Sequence, residues 1–187
     1  MLERGDAEAV VLRLELPPPR LTGHPFAPVR WPGLALARAG SILRLPVAGA
    51  LVAVPATGGV HVEVLEAHYR DFPLDRRTFS ILAPDASPTP ARAPVAGDPP
   101  GFLGPVRVMR VRFHPAQLRP REGVLRIYRR LRVALRFERP LDLPPDWEAR
   151  LAGAGLHGDV GGMAGLARSV VLNLGPATAG SGGGARP

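Results

Sequence analysis

Cysteine is absent from this 187-residue chain. That excludes a disulfide framework, a thiolate metal site and a cysteine nucleophile, and it leaves the compartment open. Lysine is absent too, so all 24 basic residues are arginine. An arginine-only set follows from a GC-rich coding sequence as readily as from function. The functional alternative is that guanidinium forks are wanted for bidentate contacts to carboxylate or phosphate. Aromatics make up 5% of the residues, and the most basic stretch offers only Phe113 and Tyr128 for stacking. Nucleic-acid modules interleave rings with basic residues, so this composition argues against that partner. No long apolar run occurs either: Ala9–Leu12 is interrupted by Arg13 and Glu15. It reads as neither a secretory signal nor a membrane span.

Catalytic patterns are missing as well. The histidines at 24, 61, 68, 114 and 157 form no H-E-x-x-H pair, so no metal site and no cofactor is expected. None of Ser41, Ser80, Ser87, Ser169 and Ser181 stands in a G-x-S-x-G elbow. The glycine clusters lack the strand–turn–helix setting and the lysine of a phosphate loop. The 16 acidic residues are dispersed, with no pair placed for acid/base work. The expectation is a protein that is not an enzyme.

What the chain has in excess is punctuation, with 22 glycines and 23 prolines. Proline on that scale removes backbone donors and fixes φ, favouring short strands and turns over helices. The formal charge of +8 permits an acidic partner or anionic surface. Val10, Leu12, Leu14 and Leu16 face one way and Val11, Arg13 and Glu15 the other, the mark of a half-buried strand. Ile42–Leu45 and Ala50–Val54 are two short apolar pieces closed by Pro46 and Pro55. Val60–Tyr69 reads as a strand whose phase slips at Val64-Leu65, predicting a β-bulge there. His61 and His68, seven apart, fall on opposite faces unless that bulge intervenes; either way they read as surface or edge residues.

From Asp71 to Gly104 the pattern dissolves, and seven prolines from Pro84 to Pro105 predict a long extended loop. Val106–Phe113 and Leu125–Phe137 alternate again. Together they read as an antiparallel hairpin with an arginine-rich solvent face on which Tyr128 lies, Arg129 alone breaking the apolar phase. Pro144–Leu151 can open one short helix with Asp146 as its cap.

The predicted fold is all-β, with antiparallel strands, long Pro-rich loops and at most one short helix. It comprises an N-terminal strand and Pro-rich segment (1–39), a β core (40–140), a C-terminal segment (141–176) and a disordered tail (177–187).

Gly40-Ser41-Ile42-Leu43-Arg44-Leu45-Pro46, Leu51–Pro55 and Val60–Val64 stand in an order that resembles the opening of the N-terminal propeptides of gingipain-type, caspase-like cysteine peptidases. Leu82-Ala83-Pro84, Gly101–Gly104, Val106–Phe113, His114-Pro115, Leu118-Arg119-Pro120 and Gly123–Phe137 resemble the remainder of that propeptide. Ser169–Leu174 resembles the stretch where such propeptides give way to the peptidase. Ile42 departs from the pattern, standing where family members often carry proline.

The resemblance implies an all-β, antiparallel β-sandwich, jelly-roll-like, with 40–140 as its core and 141–176 as a junction segment, that assists folding of a secreted cysteine peptidase and masks its active-site cleft until cleaved off. The partner would be the peptidase catalytic domain, in cis or in trans, and the location secreted or cell envelope. It further implies an inhibitory loop, for which Arg92, or else Arg76 and Arg77, are candidates, and a processing position at Arg168. The 187 residues hold no signal-like run and no His/Cys peptidase domain, so a detached propeptide-like domain or a fragment is expected. The alternative from another class is a free-standing β-sandwich module for adhesion or envelope assembly.

Overall fold

The computed structural model describes residues 2–22, 28–38, 43–74, 93–147, 149–150 and 171–174. Twelve strands are described: β1 (Leu2–Gly5), β2 (Ala9–Glu15), β3 (Arg20–Leu21), β4 (Val29–Arg30), β5 (Ala35–Arg38), β6 (Arg44–Ala53), β7 (Val60–Pro73), β8 (Val95–Gly97), β9 (Gly101–Leu103), β10 (Val106–Phe113), β11 (Ala116–Arg119) and β12 (Val124–Phe137). Every strand pair is antiparallel.

They form two five-stranded sheets and the small ribbon β3–β4. In the first sheet β12 is central, with β7 along one side. Its other side is shared end to end by β11 and β2, and β1 lies beyond β2. In the second sheet β10 pairs with β6 on one side and with β8 and β9 on the other, while β5 flanks the first half of β6.

The alternation of apolar residues explains the layering. Val10, Leu12 and Leu14 of β2 and Leu131, Val133 and Leu135 of β12 meet Val52, Met109, Val111 and Phe113 of the other sheet in one buried cluster. This is an all-β sandwich-like architecture: each sheet has one apolar face, and the two faces bury each other. A second cluster gathers Val29, Trp31, Leu43, Leu45, Leu125 and Ile127. Trp31 is held there by a 2.8 Å hydrogen bond from its Nε1 to the Pro17 carbonyl. A third cluster joins Ala53 and Val106 to Val171 and Leu174, with Leu141, Leu143 and Trp147 packed against it.

Several sequence expectations are revised. Val106–Phe113 and Leu125–Phe137 do not form a hairpin with each other: β10 and β12 lie in different sheets. Between them the chain crosses at His114-Pro115 and runs up β11. It then turns through a 3-10 turn at Pro120–Glu122, with Gly123 at φ +65°, before descending β12. Each long strand has an apolar face and two edges to satisfy, and alternation alone does not say with which neighbour.

The two apolar pieces around Pro46 are one strand. Pro46 pairs only towards β5, because β10 takes up its register from Ala48 onward, so no ladder partner loses its donor. The Pro-rich stretch also carries more order than its composition suggests. β7 runs on to Pro73, and Val95–Gly97 and Gly101–Leu103 add to β10. Tyr128 leaves the polar face: the register slips between Tyr128 and Arg130, and the ring is buried within the main cluster. The bulge predicted on β7 is present. Glu66 pairs with Arg132 and Val64 with Val133, which leaves Leu65 as the extra residue. Trp147, Ala149 and Arg150 have helical backbone, and the Asp146 carboxylate accepts from Arg150 Nε at 2.7 Å.

Candidate partner-binding surface

The candidate surface is built on the two stems of the stretch 75–92. One stem ends β7, where the Leu74 amide donates to the Gly123 carbonyl at 3.0 Å. The other begins before β8, where the His114 amide donates to the Pro94 carbonyl at 2.8 Å. Both therefore lean on the crossing between β10 and β12, one from each sheet. Phe72 and Leu74 pack on the cluster of Trp31, Leu125 and Ile127, which anchors the first stem in the core.

A polar clamp reinforces that stem. Arg126 on β12 faces Asp71 on β7 and grips it with both arms of its fork, Nε to Oδ1 and Nη2 to Oδ2, each at 2.8 Å. The same Nη2 reaches Glu122 Oε2 at 3.1 Å, and Arg119 Nε meets the other Glu122 oxygen at 3.1 Å. The Arg126 guanidinium lies 3.9 Å from the centre of the Tyr69 ring, which meets Tyr128 edge-on at 5.5 Å. Planar, delocalised arginine suits both tasks, bidentate pairing and stacking, where lysine would serve neither. The hydrogen bonds from Arg126 hold the Asp71 carboxyl below its ordinary pKa, and the hydrogen bond to Asp71 raises that of Arg126. Gln117, opposite Arg126 on β11, is buried with neither amide atom partnered among the described residues.

The outer face of the first sheet is a lattice of ion pairs. Arg132 meets Glu3 at 2.8 Å, Arg130 meets Glu15 at 3.0 Å, and Arg136 meets Glu63 at 2.7 Å. The acids come from β1, β2 and β7, distant in sequence, so the arginine-rich face read from β12 alone is largely neutralised in the fold. With Leu65 bulged, His61 and His68 sit opposite Arg136 and Arg130 on one face. His61 contacts Glu138 at 3.1 Å and His68 contacts Glu66 at 2.6 Å; both histidines and Glu138 are exposed, and Glu66 is half-buried. Unbalanced charge collects elsewhere. Arg20 faces Arg30 and Arg38 faces Arg44 in cross-strand register, all four exposed and without an acidic partner among the described residues. Like charges placed opposite one another cost stability, and an acidic surface brought against them would relieve it.

The lowered carboxylates give a pH prediction. Asp71, Glu3 and Glu15 are each held low chiefly by an arginine hydrogen bond, and Asp6 by the backbone amides of Glu8 and Ala9. A carboxylate whose folded pKa is depressed stabilises the fold above its unfolded pKa and loses that contribution as pH falls through the folded value. Thermal midpoints should be nearly level above about pH 5 and fall progressively below about pH 4. A midpoint that rose on acidification would contradict the clamp.

Arg76, Arg77, Arg92 and Arg168 all lie outside the described residues. The stems that carry the first three are described, and description resumes at Val171, three residues after Arg168. Sequence reading did not pick out the Arg126–Asp71–Tyr69 clamp. Its members are 55 residues apart and meet only through the β7–β12 register; the available signal was the even phase shared by arginines along β12.

Two packed antiparallel sheets and a clamped loop stem define an all-β, sandwich-like domain. Its fold is gingipain propeptide-like. The chain is similar to one in the complex of Porphyromonas gingivalis RgpB pro- and mature domains: TM-score 0.65, 18% identity, covering 93% of this chain and 97% of that one. It is similar also to a chain of the structure on zymogenic latency of gingipain K from Porphyromonas gingivalis: TM-score 0.53, 11% identity, covering 74% of this chain and 91% of that one. No family model and no curated protein matches the sequence.

Proposed function

We propose that this chain is a propeptide-like domain that binds the catalytic domain of a gingipain-type cysteine peptidase, in cis or in trans, assisting its folding and holding it latent. The observation that carries the reading is the shared fold along nearly the whole of both chains, this one and that from the complex of pro- and mature domains. Binding only the folded peptidase would stabilise it by mass action. The stretch 75–92 is the proposed inhibitory element. Its stems are fixed to both sheets, so the two ends of the loop need no further ordering when it enters a cleft. Within it Arg92 is the first candidate for a pseudo-substrate contact to an acidic pocket, with Arg76 and Arg77 as alternatives. Arg168 is the proposed processing position, and export to the envelope or medium follows from the same reading.

The test is inhibition of a gingipain-type peptidase by the domain and by its Arg92→Ala, Arg76→Ala and Arg77→Ala variants. One of the three should weaken inhibition by about 10- to 100-fold, the worth of one or two charge-assisted hydrogen bonds. Equal potency of all three would remove the pseudo-substrate arginine. No inhibition by the wild-type domain would favour the other reading, an adhesion or envelope-assembly module. For that reading the exposed Val64, Leu65 and Tyr69 of β7 offer a surface.

A further inference from the structure

Between Glu15 and Glu63 the chain carries no acid, yet it carries four arginines, Arg20, Arg30, Arg38 and Arg44. The fold sets them in two cross-strand pairs, Arg20 against Arg30 on the ribbon β3–β4 and Arg38 against Arg44 on β5–β6. All four are exposed. Residues directly opposed across two strands share one face, with their Cβ atoms about 5 Å apart. On either side of Arg30, Val29 and Trp31 are buried in one cluster with Leu43 and Leu45, which flank Arg44. Side chains alternate along a strand, so Arg30 and Arg44 point away from that cluster to solvent. Arg20 and Arg38 share their faces.

Another like-charged pair in the fold shows what these two lack. Arg13 on β2 opposes Arg132 on β12. There Glu15 meets Arg13 at 2.8 Å and Glu3 meets Arg132 at 2.8 Å, so each guanidinium has its carboxylate. Neither Arg20–Arg30 nor Arg38–Arg44 has one among the described residues, and the stretch that carries them contains none. Like charges opposed in register cost stability until an anion is brought to them.

We infer that Arg20 and Arg30 form a pincer that binds a phosphate monoester, with Arg38 and Arg44 as a second pincer of the same kind. The clamp of the first sheet sets the scale. One fork there holds one carboxylate, Arg126 gripping both oxygens of Asp71 at 2.8 Å. Two forks about 5 Å apart bring two positive charges, one more than a single carboxylate neutralises. A phosphate monoester matches them: it carries a charge of about −1.5 to −2 at pH 7 and three strong acceptor oxygens in a tetrahedral arrangement. The same group ends a soluble glycerol or sugar phosphate and the headgroup of phosphatidic acid. The site does not depend on the peptidase reading.

The experiment titrates the full chain above the second phosphate pKa of about 6, at constant ionic strength, with glycerol 3-phosphate. A blocked Glu-Glu dipeptide of matched charge and vesicles containing about 20% phosphatidic acid are the other probes. The NMR signals of the Arg20 and Arg30 Nε–H groups should move with glycerol 3-phosphate, at a dissociation constant on the order of a millimolar. Arg20→Gln/Arg30→Gln should weaken binding by about tenfold or more. Arg110→Gln/Arg121→Gln removes two exposed arginines elsewhere and should leave it within about twofold. Because the first variant relieves repulsion, it should be no less stable to urea than the wild type. Vesicle binding lost in that variant would place the phosphate on a lipid surface; binding of glycerol 3-phosphate without vesicle binding would place it in solution. Static Arg20 and Arg30 signals with both phosphate sources would overturn the proposal, as would equal weakening by the two variants. Tighter binding of the Glu-Glu dipeptide would overturn it in favour of an acidic protein partner. Marked destabilisation by Arg20→Gln/Arg30→Gln would overturn it too, because the pair would then serve the fold.

Discussion

Phe113→Ala is expected to lower the stability of the domain by about 3–5 kcal/mol. Phe113 ends β10 and is fully buried, and its cross-strand partners are the small Ala48 on β6 and Val95 on β8. A large ring beside an alanine is a complementary fit, and neither cross-strand partner is large enough to fill the space the ring leaves. The cost therefore includes the cavity as well as the lost transfer energy. Against a total stability of about 5–15 kcal/mol, such a loss is about a fifth of the fold's stability or more. Urea unfolding measures it directly. Phe113→Leu, which keeps most of the volume, should cost less than half as much; a loss under about 1 kcal/mol for alanine would mean that the sheets do not meet at this residue.

The second large effect is expected at the clamp. Arg126→Leu should cost about 1–3 kcal/mol, because it strands Asp71 with its two best hydrogen bonds removed. The upper end is tempered by water, since the Asp71 side chain is 33% exposed while that of Arg126 is only 12%. Asp71→Asn should cost less, and the double variant should show a coupling of about 1–2 kcal/mol. Arg136→Ala makes the contrast. Its partner Glu63 is just as close, but the Arg136 side chain is 62% exposed, and the change should leave the urea midpoint almost unmoved. The clamp also has a local readout: faster amide exchange at Leu74 in Arg126→Leu would show that it holds the loop stem. If Arg126→Leu and Arg136→Ala cost the same, the clamp is an ordinary surface pair.

These effects rest on contacts that the sequence revealed unevenly. Alternation located β2, β10 and β12, and a single phase slip located the bulge that expels Leu65, because a half-buried strand writes its period of two directly into the chain. Partner choice is not written there. β10 and β12 looked like a hairpin because they are adjacent and similar, yet each completes a different sheet. Pro46 looked like a strand end, when the missing donor simply points to an edge that β10 does not use. The arginines of β12 were visible, but their acids on β1, β2 and β7 became partners only through the register. Asn173, whose side chain hydrogen-bonds both backbone groups of Ala53, gave no local signal at all, since its partner lies 120 residues earlier. The arginines named for inhibition and processing came from the family resemblance, and the fold since found supports that resemblance at the level of architecture.

The most direct test of the central claim is calorimetric titration of the domain, with its 75–92 stretch intact, against the isolated catalytic domain of a gingipain-type cysteine peptidase. The account predicts one-to-one binding at micromolar affinity or tighter, lost on replacing 75–92 by a short glycine–serine linker that leaves the fold unchanged by circular dichroism. No heat of binding at 100 μM, or undiminished binding without 75–92, would contradict it.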